Sequence, residues 1–310
     1  MRKKVLLTGG GGFIGSHIAE GLISGNYSVK IIDNFSTGNK NNLKDLLKQI
    51  ELVEGDIRDY STVVKVMKEI DIVVHLAALP SVPRSINDPI TTNEVNVNGT
   101  LNMLWAAVDS GVSKFIFASS SSVYGNSKEK IKHENICPSP LSPYAVSKLT
   151  GENYCKVFTR NYGLNTVCFR YFNVFGARQN PDSQYSAVIP KFISMMKKGI
   201  SPVIYGDGTQ SRDFTYVKNI VNANLLAIEN TTQDNLIINC ACGRQTSLND
   251  VVKEINNYLG KNIEPIYKNE RAGDIKHSLA DISLANEKIN YVPEIYFDEG
   301  MKQTIEKFFI

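Results

Sequence analysis

Val5-Leu6-Leu7-Thr8-Gly9-Gly10-Gly11-Gly12-Phe13-Ile14-Gly15 passes from a short apolar run, through four consecutive glycines, into a stretch near 16–25 with helical period. A strand, a glycine-rich turn and a helix in that order make an anion cradle, because backbone N–H groups and the positive end of the helix both face a phosphate. In such a turn Gly9 permits the tight bend, Gly12 lets backbone approach a pyrophosphate, and Gly15 allows the helix to pack closely on the strand. Phe13 and Ile14 complete the lining.

Outward from this turn, Val29–Ile32, Ile72–Leu76 and Phe115–Phe117 are further strand signals, while 60–69 and 91–110 carry apolar residues at helical spacing. Strand and helix in alternation predict a parallel sheet, hence an α/β fold: a Rossmann-type doubly wound sheet followed by a smaller C-terminal substrate-binding α/β region. Leu76-Ala77-Ala78 and Ala118-Ser119-Ser120 end their strands in small residues, as needed where backbone meets a ligand at the carboxyl edge of such a sheet. Beyond about residue 172 the rhythm loosens into loops, with helical patterns near 188–198, 214–229 and 247–259. The expected division is 1–171 for the dinucleotide and 172–310 mainly for the substrate, with no linker between them and segments from about 214–240 returning to the first part.

The 310 residues are 42% hydrophobic and 21% charged, enough to bury a sizeable core. With 34 Lys+Arg against 31 Asp+Glu the net charge is +3 and no block of like charge concentrates it, so the expected partner is a small molecule, not nucleic acid or a membrane surface. No apolar run reaches membrane-spanning length, and the N-terminal apolar run meets glycines too early for a signal peptide. Cys137, Cys155, Cys168, Cys240 and Cys242 form an odd, scattered set, and the four histidines offer no ligand spacing. A cytoplasmic protein with reduced thiols and no metal is expected.

Asp33 closes the second strand signal at about the 20-residue distance expected of a carboxylate that holds the adenosine ribose hydroxyls. It repels a 2′-phosphate, and Asn34-Phe35-Ser36-Thr37-Gly38 supplies no arginine to pair with one, so the expected cofactor is NAD, with Asn34, Ser36, Thr37 and Gly38 as ribose-side contacts. Gly55-Asp56-Ile57-Arg58-Asp59 offers the Asp56 carboxylate to the adenine amino group and Ile57 to cover the ring, or else makes an ordinary turn.

Ser142-Pro143-Tyr144-Ala-Val-Ser-Lys148 sets an N-cap serine and an N1 proline ahead of a helix on which Tyr144 and Lys148, four apart, share a face. A free tyrosine titrates near pH 10, about three units above neutrality. A fixed ammonium one turn away and the positive helix end both favour the phenolate, so Tyr144 can take a hydroxyl proton. The spacing is informative here because it follows a glycine-rich turn, a ribose carboxylate and the cluster Ser119-Ser120-Ser121-Ser122-Val-Tyr124-Gly125 at the end of another strand. Asn96 reads as a buried hydrogen-bonding residue, with helix packing its simplest role.

The glycine turn, Asp33-Asn34, the serine cluster, Tyr144-x-x-x-Lys148 and Arg170-Tyr171-Phe172-Asn173 together resemble the extended short-chain dehydrogenase/reductase family over almost the whole chain, and within it the UDP-sugar 4-epimerases. The resemblance implies Tyr144 as base, Lys148 as ribose anchor, Ser120 as partner of the reacting oxygen, and Leu76, Ala77, Ala78 and Tyr171 beside NAD. It implies oxidation at C4 to a 4-keto sugar and return of hydride to the other face. Related dehydratases and decarboxylases carry acidic residues where this chain has Ser121 and Ser122; with no acid there to expel a 6-hydroxyl, simple C4 inversion is favoured. A reductase, dehydratase or decarboxylase of the same family is the alternative, and an NAD-sensing regulator is the non-enzymatic one.

For the UDP-sugar, the resemblance implies Arg212 and Arg271 on the diphosphate, Asp274 on the uridine ribose, and Asn173, Ala187, Val188 and Tyr205 around diphosphate and uracil. It puts Ser81, Ser121 and Ser122 on the sugar side, although Pro80 replaces the family's lysine in the loop before Ser81. Ser278 aligns with a tyrosine of epimerases restricted to non-acetylated sugars, and so implies room for an N-acetyl group. Helical patterns at 91–110 and 144–162 resemble the pair that forms the family's homodimer interface.

Overall fold

The computed structural model describes residues 2–181, 187–230, 235–270 and 276–308. Seven parallel strands, β1 (Lys4–Thr8), β2 (Ser28–Asp33), β3 (Ile50–Glu54), β4 (Ile72–His75), β5 (Lys114–Ser120), β6 (Asn165–Tyr171) and β7 (Leu236–Cys240), form one sheet in the order β7-β6-β5-β4-β1-β2-β3. Chain order reverses between β1 and β4, and the crevice at that reversal is where a doubly wound sheet binds ligands. The α/β expectation is borne out.

Alternation along each strand decides which layer a residue joins. Val5, Leu7, Ile116 and Phe169 point to one face, covered by α1 (Phe13–Ser24) and α8 (Val217–Glu229); Leu6, Phe115, Phe117 and Cys168 point to the other, beneath α2 (Tyr60–Met67), α5 (Gly99–Asp109) and α6 (Pro143–Tyr162). Because both faces are covered, the central strands are apolar almost throughout, which is why they were legible as continuous runs. Burial at about 25 cal/mol per Å² of apolar surface is the main force holding these layers. Elements α8 and β7 come from the second half of the chain yet complete this lobe.

The expected helix over 91–110 is interrupted. It follows α3 (Val82–Asn87) as α4 (Pro89–Asn93), one wide turn over Glu94–Asn98, and then α5. The Thr100 hydroxyl donates to Asn96 O (2.6 Å) inside that wide turn, and such turns mark sites where a helix has been reshaped around a neighbour. The pattern expected to start at 214 begins as a helix only at Val217, because Thr215–Tyr216 pair with Val174–Phe175 as short parallel strands.

The smaller lobe packs α7 (Val188–Lys197), α9 (Leu248–Leu259) and α11 (Phe297–Phe308) around Phe175, Ile189, Phe192, Val251, Ile255 and Met301. A reciprocal Ser247–Asp250 cap starts α9, and Gly260 with φ +61° ends it. The lobes are stitched by Ile131–Lys132 pairing with Leu279–Ala280; α10 (Ser283–Ile289) follows.

Candidate active site

A cleft of about 270 Å³ opens at the carboxyl ends of β1, β2, β4 and β5. Every residue the sequence assigns to the cofactor lines it: Gly9, Gly12, Phe13, Ile14 and Gly15 after β1; Asp33, Asn34, Ser36, Thr37 and Gly38 after β2; Asp56 and Ile57 after β3; Leu76, Ala77 and Ala78 after β4; and Tyr144, Lys148 and Tyr171. Two glycines are dictated by space. Gly9 has φ +70° and a Cβ there would lie 2.8 Å from Ala77 N, while a Cβ on Gly15 would lie 2.2 Å from Gly9 O. The Gly12 N–H is used within the turn, on Gly9 O (3.1 Å), and α1 starts with no side-chain cap, so its first N–H groups remain for an anion.

Asp33 is held by Phe35 N–H on Oδ1 (2.7 Å) and Gly11 N–H on Oδ2 (2.8 Å). Burial raises its carboxyl above the usual value, against these two donors, and each oxygen keeps acceptor capacity for a ribose hydroxyl. A glycine cradle, an uncapped helix start and a half-spent carboxylate fit a dinucleotide with a free 2′-hydroxyl. Asp56 differs: Arg58 binds both of its oxygens (3.0 and 2.8 Å), Arg58 N–H and Asn34 Nδ2 add to them, and the Arg58 side chain foremost holds the carboxyl at about 2. It closes a turn with most of its acceptor capacity already taken.

The residues that the sequence assigns to catalysis lie at the edge of this cleft. Ser142 caps α6 by accepting Ala145 N–H (3.1 Å), which sets Tyr144 in the first turn and Lys148 in the second. Lys148 Nζ donates to Ala118 O (2.7 Å) and stands 5.9 Å from the Tyr144 ring centre; burial draws its pKa down to about 8. Burial raises the phenol above its ordinary value, and a hydrogen bond from Ser120 is what opposes it. Ser120 ends β5, and its Oγ also accepts Ser122 N–H (3.1 Å). The Ser122 hydroxyl is sealed from solvent and without a hydrogen-bond partner among the described residues, as expected of a group that awaits a ligand hydroxyl.

Of the described residues assigned to the sugar nucleotide, Tyr144 lines this cleft and the others do not. Ser121 belongs to the short helical turn Ser121–Tyr124; Ser81, with φ +108°, caps α3 in the loop after β4. Asn173 follows β6 with φ +28° and its carbonyl accepts Thr215 N–H; Ala187 and Val188 start α7; Tyr205 ends the strand Val203–Tyr205. Arg212 Nη1 donates to Ser211 O (2.9 Å) and Lys276 O (3.2 Å), and Ser278 N–H donates to the same Ser211 O (3.1 Å), so Arg212 and Ser278 are neighbours. Arg271 and Asp274 lie outside the described residues. Among the described residues no group of three or more His, Cys, Asp or Glu could hold a metal.

Sequence reasoning passed over several supporting side chains. His75 links Thr8 Oγ1 (2.7 Å) to Thr100 Oγ1 (3.0 Å); a lone histidine closing an apolar strand was its only signal. Asn96 reaches beyond packing: it brackets Leu79 through both backbone groups and donates to Ser147 Oγ (3.0 Å), tying the loop after β4 to α6. Glu152, one turn beyond Lys148, pairs with Arg170, and the helical spacing 144, 148, 152 would have found it. Asp213, beside Arg212, accepts the N–H groups of Cys242, Gly243 and Ala280, and burial raises it to about 6.

Three solved structures are similar over nearly the whole chain. UDP-N-acetylglucosamine 4-epimerase from Methanobrevibacter ruminantium M1, in complex with UDP-N-acetylmuramic acid, is 44% identical, covers 99% of this chain and 98% of its own, and superposes with a TM-score of 0.95. UDP-glucose 4-epimerase of Thermotoga maritima with UDP-glucose is 37% identical at a TM-score of 0.93, and that of Thermus thermophilus with NAD is 34% identical at 0.88; each covers 98% of both chains. The profile of the NAD dependent epimerase/dehydratase family matches residues 5–241. The chain therefore belongs to the NAD dependent epimerase/dehydratase family, as an NAD-dependent isomerase of the UDP-sugar 4-epimerase type.

Proposed function

We propose that this enzyme interconverts UDP-N-acetylglucosamine and UDP-N-acetylgalactosamine, or a related UDP-N-acetylhexosamine pair, by inversion at C4. The observation that carries the reading is Lys148, buried and held on Ala118 O (2.7 Å) one turn from Tyr144, beside the strand end that carries Ser120, with no acid free beside them among the described residues. Glu152, one turn further along α6, has its oxygens taken by Ser119 and Arg170, so an elimination that must protonate a leaving hydroxyl finds no donor there.

Bound NAD supplies the hydride acceptor and donor. Tyr144 takes and returns the 4-hydroxyl proton, Ser120 hydrogen-bonds the same oxygen, Lys148 anchors the nicotinamide ribose, and Ser122 offers its unpartnered hydroxyl to the sugar. Asp33 takes the adenosine ribose, and the start of α1 takes the pyrophosphate. Arg212 binds the UDP diphosphate. The N-acetyl preference is supported by Ser278, a small half-buried side chain beside Arg212, and by the Methanobrevibacter relative, which is named for a UDP-N-acetyl sugar. We further propose a homodimer through α5 and α6, supported by the exposed apolar side chains Trp105, Val157 and Tyr162 on these helices. The five cysteines are free thiols and support a reducing, cytoplasmic setting.

The test is incubation of purified protein with UDP-N-acetylglucosamine and no added cofactor, followed by anomeric proton NMR, with UDP-glucose in parallel. Appearance of UDP-N-acetylgalactosamine is the expected result. Turnover of UDP-glucose alone overturns the N-acetyl reading, and turnover of neither, even with added NAD, overturns C4 inversion of these sugars.

A further inference from the structure

Two groups on one stripe of α6 are fastened to consecutive residues of β5. Lys148 Nζ donates to Ala118 O (2.7 Å) and Glu152 Oε1 accepts the Ser119 hydroxyl (2.5 Å), while Tyr144 lies one turn earlier on the same stripe and Ser120 one residue further along the strand. Positions 144, 148 and 152 are successive turns of one helix face, and 118, 119 and 120 are the last residues of a strand. Helix α6 therefore cannot slide along β5 without breaking a bond to a buried charged side chain, Lys148 or Glu152.

Glu152 is itself immobilised. Arg170 stands directly opposite Ser119 on β6, donates Nε to Oε1 (2.9 Å) and Nη2 to Oε2 (2.7 Å), and rests its guanidinium 4.7 Å from the Tyr124 ring centre. Both charged side chains are buried, 3% and 1% exposed. Such a forked pair has one geometry, so it passes the position of β6 to Ser119 through a single carboxylate.

We propose that Glu152 is a positioning residue of the reaction: clamped by Arg170, its carboxylate holds the Ser119 hydroxyl and thereby aims Ser120 at the Tyr144 phenol. The assignment rests on Ser120 and Tyr144 being the reacting pair. Glu152 touches neither of them; it acts through Ser119.

The experiment uses Ser119→Ala, which removes the tether but leaves the Glu152–Arg170 pair intact, Ser119→Thr, which restores the hydroxyl, and Glu152→Gln. Turnover is followed by NMR with the UDP-hexose that the wild-type enzyme converts. Misplacement of a reacting group costs roughly ten- to a hundredfold in rate, and that loss of kcat is expected in Ser119→Ala, with KM and bound NAD unchanged. Because the Ser120 hydrogen bond favours the phenolate, loosening it moves the acid limb of the kcat profile to higher pH. Ser119→Thr should recover kcat, and Glu152→Gln should resemble Ser119→Ala. A Ser119→Ala enzyme within twofold of wild type, or one that loses NAD and KM together with kcat, overturns the proposal. Tyr144→Phe run alongside separates the two levels: if it still turns over, the reacting pair itself is misassigned and the positioning role falls with it.

Discussion

Protonating His75 would dismantle the hydrogen-bond chain beneath the cofactor turn, and the size of the effect follows from the geometry. Thr8 Oγ1 accepts the N–H groups of Leu76 and Ala77 (3.1 and 3.0 Å), so its own proton goes to His75 Nδ1. Nε2 then carries the ring proton and donates to Thr100, whose proton goes on to Asn96 O. An imidazolium has no acceptor lone pair and would thrust a proton at Thr8. Burial first, and Lys148 second, lower its pKa from 6.5 to about 3. The folded value is the depressed one, so the unfolded chain binds the proton first as pH falls, and stability is lost from about pH 6.5 down to about pH 3. With those two values the loss between about pH 7 and about pH 4.5 is about 2.5 kcal/mol. Asp213, raised to about 6, titrates in the same interval with the opposite sign, since protonation relieves its buried charge. Only a paired comparison isolates His75. His75→Gln offers an oxygen to Thr8 and an N–H to Thr100 but does not titrate. Urea unfolding of both proteins in parallel should show the stability difference shifting by about 2.5 kcal/mol in favour of the glutamine variant on acidification. A difference that changes by less than about 0.5 kcal/mol would refute a buried, neutral, doubly bonded histidine.

Tyr144→Phe should lower turnover by roughly 10²- to 10⁴-fold while NAD, released by denaturation and quantified by chromatography, stays stoichiometric; residual activity within tenfold of wild type would remove Tyr144 from the proton step. Gly15→Ala puts a Cβ 2.2 Å from Gly9 O and 2.9 Å from Gly10 Cα, so the turn must shift. Purified variant should be depleted of NAD and destabilised by roughly 1–3 kcal/mol, and full NAD occupancy would contradict the close approach. Ser278→Tyr should cut turnover of UDP-N-acetylglucosamine by at least about 100-fold while sparing UDP-glucose, and equal effects on both sugars would show that position 278 does not meet the C2 substituent.

The fold was legible because its signals are local and repeated. Apolar strands covered on both faces, a glycine turn between strand and helix, and an N-cap serine ahead of Tyr144 each report on backbone within a few residues. The same locality explains the misjudged details. The wide turn at Glu94–Asn98 depends on Thr100 and on what Asn96 must reach across to in α6, and apolar spacing along 91–110 carries no trace of either. Tyr144 has a lysine one turn away, and sequence spacing alone favours a phenolate; burial, which spacing does not report, sets the direction of the shift.

Side chains that fasten the site were hidden for a different reason: each is a single polar residue whose partners are distant in the chain. Asn239 is fully buried at the end of β7, among apolar neighbours that read as plain strand. Its Oδ1 accepts the Tyr124 hydroxyl (2.7 Å), its Nδ2 donates to Lys132 O (2.9 Å) and Asp281 O (3.0 Å), and its N–H donates to Glu134 (2.7 Å). One amide thus holds the turn that follows Ser120 and the strand that follows Ser278, the two segments assigned to the sugar. Replacing its side chain leaves up to three groups unpaired, the Tyr124 hydroxyl and the Lys132 and Asp281 carbonyls, each at a cost of about 1–3 kcal/mol, whereas a strand signal needs nothing from that position except length. The residues a sequence shows least are therefore those that set the relative position of the two walls of the site.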